Sequence, residues 1–164
     1  MNAIRKIEGL CSCARAGDAG RYAYLEVRMS NETKLELSQD LQQFIILALG
    51  VGIDNLRKQG SLIPMVLSLR GEEIDLSVLD VAADEVMRSA AGHVAGLPPE
   101  TDFYALLFDG RMNVDGEVFQ AAIVQAGERG SEHGHTVYQQ YDVKTYELIG
   151  GPEYAGQAEQ FFNR

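Results

Sequence analysis

The chain has 164 residues and a mass of 18.0 kDa, a length that favours one domain over two. Hydrophobic residues make up 46% and charged residues 23%, which excludes a low-complexity or largely disordered chain. The formal net charge of −10 disfavours nucleic acid and anionic membranes as partners, because phosphate binding needs clustered Lys and Arg.

Residues 1–28 form a leader whose charge differs from that of the rest. The leader holds five basic and three acidic residues, a surplus of +2, so residues 29–164 carry −12. It contains both cysteines, Cys11 and Cys13, but no apolar core of a secretory signal. Two interpretations stay open. Either residues 1–28 are a poorly ordered extension from a mis-assigned start, with a single domain over 29–164, or Arg21–Arg28 adds an edge strand to that domain.

The first predicted element is a helix over residues 38–59. Ser38 is a suitable N-cap and Gly60 a suitable C-terminal stop, with apolar residues at helical spacing between them. Its middle, Phe44–Ile53, is apolar almost all round, which requires cover on more than one side. At ten residues this apolar run is about half of the ~20 needed to span a bilayer, so we expect a cytoplasmic protein with no membrane partner.

A β-hairpin and a second helix follow. Leu62–Leu69 and Glu73–Val78 are rich in Leu, Ile and Val and flank a Gly71 turn, with Pro64 near the start of an edge strand. Ser77 and Asp80 have capping-box spacing, which predicts a helix over residues 79–95.

The last third of the chain has a strand-rich pattern. We expect strands near 102–108, 111–114, 117–126 and 135–148, with turns at Asp109-Gly110 and Asp115-Gly116, a break near Asp142 and a terminal helix over Tyr154–Phe162. The element order α-β-β-α-β-β-β-α predicts an α+β two-layer sandwich, an antiparallel sheet of about five strands with helices on one face. The predicted core contains Phe44, Ile45, Leu49, Ile53, Leu56, Val66, Leu76, Val86, Leu106, Phe108, Ile123, Val124 and Val137.

Two groups of residues are candidate sites. The loop over residues 127–135 supplies Glu128, Glu132, His133 and His135 as ligands for a metal ion, provided that the following strand begins at His133 and both imidazoles share a face. Tyr138, Tyr141 and Tyr146 lie along the last long strand and form a partner-binding patch if that face is uncovered, or ordinary strand filling otherwise.

Because no coherent catalytic set is visible, the sequence favours a non-catalytic protein-binding module that needs no cofactor. Its partner is another protein or a second copy of the chain. The element order and acidity are similar in architecture alone to small bacterial immunity proteins and to secretion chaperones. The alternative is a metal-dependent enzyme or metal-binding protein that uses the 127–135 loop.

Overall fold

The computed structural model describes residues 4–9, 23–28 and 37–162. The elements in chain order are β1 (Ile4–Gly9), β2 (Ala23–Arg28), α1 (Gln39–Gln59), β3 (Met65–Arg70), β4 (Glu73–Val78), a 3₁₀ turn (Ala83–Glu85), α2 (Val86–Ala95), β5 (Phe103–Val114), β6 (Glu117–Glu128), β7 (Gly134–Gln140) and β8 (Glu153–Ala158). The expected α+β class with an antiparallel sheet is confirmed.

The sheet is built around the long strand β5. Its main order is β2-β1-β5-β6-β7-β8, and every pairing is antiparallel. One edge of β5 is shared, because its first half pairs with β3 and its second half with β1. Among the described strands, β4 pairs with β3 alone and leaves its other edge open. Within the described residues the sheet therefore has eight strands where about five are expected. β2 lies within Arg21–Arg28, the segment that the second interpretation of the leader makes an edge strand.

The ends of α1 follow the expected capping pattern. The Ser38 side chain accepts a hydrogen bond from the backbone N–H of Leu41 at 3.1 Å. At the other end Gly60 has φ of 71°, a conformation that glycine adopts without the steric cost of a Cβ, and its N–H donates to the Leu56 carbonyl. The predicted range of 38–59 is confirmed to within one residue.

The two helices pack against opposite faces of the sheet. Neighbouring residues of a strand point to opposite faces, and on β5 Ala105 and Leu107 join the core cluster of α1 whereas Leu106 joins that of α2. This differs from the expected placement of both helices on one face. The physical reason is that the central strands are apolar at consecutive positions, so both of their faces need cover.

Two predicted helices need correction. Ser77 pairs with Val66 inside β4 and cannot cap a helix, so α2 begins only at Val86, after the 3₁₀ turn. The predicted terminal helix over Tyr154–Phe162 is wrong. Residues Glu153–Ala158 form β8, which pairs with β7 across an irregularity between Thr136 and Val137.

One of the two predicted Asp-Gly turns is present. Asp115 and Gly116 connect β5 to β6 with φ values of 53° and 85°, the left-handed pair that a two-residue hairpin turn requires. Asp109 and Gly110 instead lie within β5 and pair with Ala122 and Ala121. The strand predicted over residues 135–148 ends as β7 at Gln140, close to the predicted break near Asp142.

The predicted core is confirmed apart from one residue. Leu76 is 50% exposed, whereas the other twelve predicted core residues are buried. Since Leu76 lies on β4, its exposure follows from the position of that strand at the sheet edge.

Candidate functional site

The open edge of β4 carries an exposed stripe of aliphatic side chains. Ile74, Leu76 and Val78 alternate along β4 and are 49%, 50% and 55% exposed. Their register partners on β3 belong to the α1 side of the sheet, so the three side chains lie on that face. We call these three residues the aliphatic stripe. An open strand edge favours pairing with another chain, so a regular row of exposed aliphatic side chains along it is a candidate contact surface.

The opposite face of β4 is polar. Glu73, Asp75 and Ser77 alternate with the stripe and point away from α1. Glu73 accepts a hydrogen bond from Arg70 at 2.6 Å across the hairpin, and both side chains of this ion pair are exposed. The edge strand thus has one aliphatic and one acidic face.

The backbone of β4 also presents unused hydrogen-bonding groups at this edge. The Leu79 N–H donates to the Pro64 carbonyl at 2.8 Å, which identifies Pro64 and Leu79 as a hydrogen-bonded pair. Hydrogen-bonded and non-hydrogen-bonded pairs alternate along an antiparallel ladder, so residues 73, 75 and 77 bond to β3. The N–H and C=O groups of the stripe residues therefore point outward from the sheet.

A groove of about 570 Å³ lies between α1 and the β3–β4 hairpin. It adjoins the aliphatic stripe at Ile74, and Leu47 of α1, 43% exposed, lines its opposite wall. Further lining residues are Asp40, Gln43, Phe44, Leu69, Gly71, Asp102, Phe103, Glu128 and Arg129. The groove extends the apolar surface from the strand edge to the side of α1.

Two charged residues that line the groove form hydrogen bonds to the β3–β4 turn and to the segment before β5. The Asp102 carboxylate accepts the N–H of Gly71 at 3.0 Å and so fixes the hairpin turn. Arg129 donates to the carbonyl of Thr101 at 2.7 Å and to that of Pro98 at 3.1 Å. These contacts are structural, and they keep the hairpin and the segment before β5 in a fixed relation.

The candidate tyrosine patch is not formed. Tyr138 is buried on the α2 side of the sheet, where its hydroxyl donates to Glu153. Tyr141 is buried on the α1 side, and only Tyr146 is partly exposed, with its hydroxyl on the Gly60 carbonyl at 3.2 Å. The expectation fails because helices and loops cover both faces of this part of the sheet.

The candidate metal ligands are not brought together. His135 is buried, and its Nδ1 lies 3.0 Å from the Tyr154 hydroxyl oxygen. His133 is exposed, and its Nε2 lies 3.9 Å from a carboxylate oxygen of Glu132. The strand begins at Gly134 and not at His133, so the two imidazoles do not share a strand face. Within residues 37–162, Glu128, Glu132 and the two histidines form no set of three metal-ligating side chains.

The carboxyl of Asp109, which the sequence places in a turn, is buried on the α1 side of the sheet. Asp109 is 4% exposed and accepts hydrogen bonds at one oxygen from Gln120 at 2.6 Å and Tyr141 at 2.7 Å. Burial raises the pKa of Asp109 and of Tyr141. The cluster ties β5 and β6 to the end of β7. The sequence signal for it is the apolar run Phe103–Phe108 directly before Asp109, which predicts a buried strand leading up to this residue.

Comparisons with protein-family models, with curated proteins and with solved structures found no match. No helix within residues 37–162 is both long and apolar enough to cross a membrane.

Proposed function

We propose that this protein is a non-catalytic protein-binding module whose contact surface is the open edge of β4 together with the adjoining groove. The observation that carries the proposal is the aliphatic stripe on an edge strand whose outward backbone groups have no partner strand among the described residues. An open edge with exposed aliphatic side chains favours pairing with another chain.

Binding would occur by addition of a strand. An extended segment of the partner exchanges backbone hydrogen bonds with Ile74, Leu76 and Val78, which supply affinity. Alternate side chains of that segment pack on the aliphatic stripe and at the mouth of the groove beside Leu47. The remaining side chains face Asp75 and Glu73, where basic or small polar residues are favoured over acidic ones.

The chemistry of the groove supports binding over catalysis. Asp102 and Arg129 form hydrogen bonds that hold the turns, and the buried Asp109 is not among the residues that line the groove. Among residues 37–162, no group of three metal-ligating side chains supports the metal-dependent alternative.

Photocrosslinking in the native host tests the proposal. A photoreactive phenylalanine analogue replaces Leu76 in one variant and Val143 in a control; Val143 is 58% exposed in the connection between β7 and β8. We expect a covalent protein adduct at position 76 and none at position 143. Absence of an adduct at 76, or equal adducts at both positions, would contradict the proposed surface.

A further inference from the structure

We infer that the partner strand at this edge is β4 of a second copy of the chain, paired antiparallel about a two-fold axis at Leu76. This inference rests on the proposed function and names its partner. A strand that recognises the aliphatic stripe needs alternating apolar residues on one face, and β4 itself has that pattern.

The backbone supports this register. When Leu76 faces the partner's Leu76, Ile74 faces the partner's Val78, and Val78 faces the partner's Ile74. These three positions are the ones whose N–H and C=O groups point outward from β4. Each facing pair therefore exchanges two backbone hydrogen bonds, and no outward group of the stripe is left without a bond.

The side chains support the same register. A two-fold axis perpendicular to the sheet keeps both stripes on one face, so every stripe residue contacts an aliphatic residue of the other copy. On the other face Asp75 lies opposite the partner's Ser77, which avoids a like-charge contact. A register centred on Asp75 would place two carboxylates directly opposite each other, an arrangement that destabilises a strand pair.

The second copy also covers part of α1. Ile74 borders the groove whose opposite wall includes Leu47, and the partner's Val78 faces Ile74 in this register. The partner strand therefore lies at the mouth of the groove. This accounts for the exposure of the aliphatic stripe and of Leu47 on α1, which a monomer leaves in water.

Sedimentation of the purified chain tests whether the second copy binds. We expect a mass of twice 18.0 kDa at high micromolar concentration for the wild type and for the control Val143→Lys. Leu76→Lys should sediment as a monomer, with a dissociation constant raised at least about tenfold, because it places two lysines opposite each other. Since position 76 is exposed in the single chain, unchanged circular dichroism would show that the variant folds.

Disulfide formation tests the register of the two β4 strands without changing the residues of the aliphatic stripe. In chains with Cys11 and Cys13 changed to serine, Asp75→Cys and Ser77→Cys are oxidised separately and as a mixture. Positions 75 and 77 face each other as a non-hydrogen-bonded pair with Cα atoms about 4.5 Å apart, which a disulfide spans. Identical positions lie diagonally at roughly 7–8 Å, too far for ready bridging. The mixture should form the covalent dimer faster than either variant alone.

Two results would overturn the inference. A wild-type chain that stays monomeric at high micromolar concentration excludes the second copy, and fastest oxidation of Asp75→Cys alone excludes the register. The crosslinking experiment tests the proposed function separately from this inference. If the purified chain is monomeric but position 76 crosslinks to a different protein in the host, the surface stands and the partner is another chain.

Discussion

Replacing Leu49 by alanine tests the packing of α1 on the sheet, and Leu47→Ala provides a matched control on the same helix. Leu49 is 4% exposed and belongs to the core shared by α1 and the sheet, whereas Leu47 is 43% exposed. A buried Leu→Ala change loses transfer free energy and leaves a cavity, which together cost about 2–5 kcal/mol. The half-exposed Leu47 leaves no closed cavity, so its truncation should cost about 1 kcal/mol or less.

Equilibrium urea unfolding measures both losses. The two changes share the same difference in helix propensity, so the gap between their midpoints reports packing alone. The measurement is made at low protein concentration, because Leu47 borders the proposed contact surface. A Leu49→Ala variant that loses no more stability than Leu47→Ala would refute the packing of this helix face, provided that the m-values are equal.

Three further predictions concern other parts of the molecule. Gly127→Ala should destabilise by about 1–3 kcal/mol in urea unfolding, because its Cβ would lie 2.5 Å from a ring carbon of the buried Tyr104; the control Gly92→Ala, with open space around it, should gain up to about 1 kcal/mol. The raised pKa of Asp109 means that its carboxyl holds a proton more tightly in the folded than in the unfolded state. The free energy of unfolding should therefore fall as pH rises above the ordinary carboxyl pKa of 3.8. Asp109→Asn should flatten this part of the plot of unfolding free energy against pH. Because the chain carries a net charge of −10, a gel-shift assay should show no salt-sensitive binding of duplex DNA.

Elements defined by local signals could be predicted from the sequence. The bounds of α1 depend on Ser38 and Gly60, whose capping preferences act within one turn. The turn at Asp115-Gly116 is likewise set by two residues that tolerate a positive φ. Such features depend on neighbours in the sequence, and tertiary contacts did not override them.

Elements decided by distant contacts could not be predicted. Tyr154 and Ala155 pack on opposite faces of the sheet, which fits a strand, but their short segment has no strong propensity and becomes β8 by pairing with β7. Asp109 resembles a turn residue next to Gly110. It lies within β5 because Gln120 and Tyr141, distant in sequence, bond its carboxylate.

Leu76 is both the predicted core residue that the structure leaves exposed and the centre of the proposed contact between two chains. An alternating aliphatic strand indicates that one face is covered, but the pattern is the same whether the cover comes from the chain's own helix or from another chain. On β3 the matching residue Leu67 is buried under α1, while Leu76, directly opposite it on β4, remains half exposed. A second copy paired at this edge would bury Leu76 against its own counterpart, so the residue would belong to a core after all, one that two chains share.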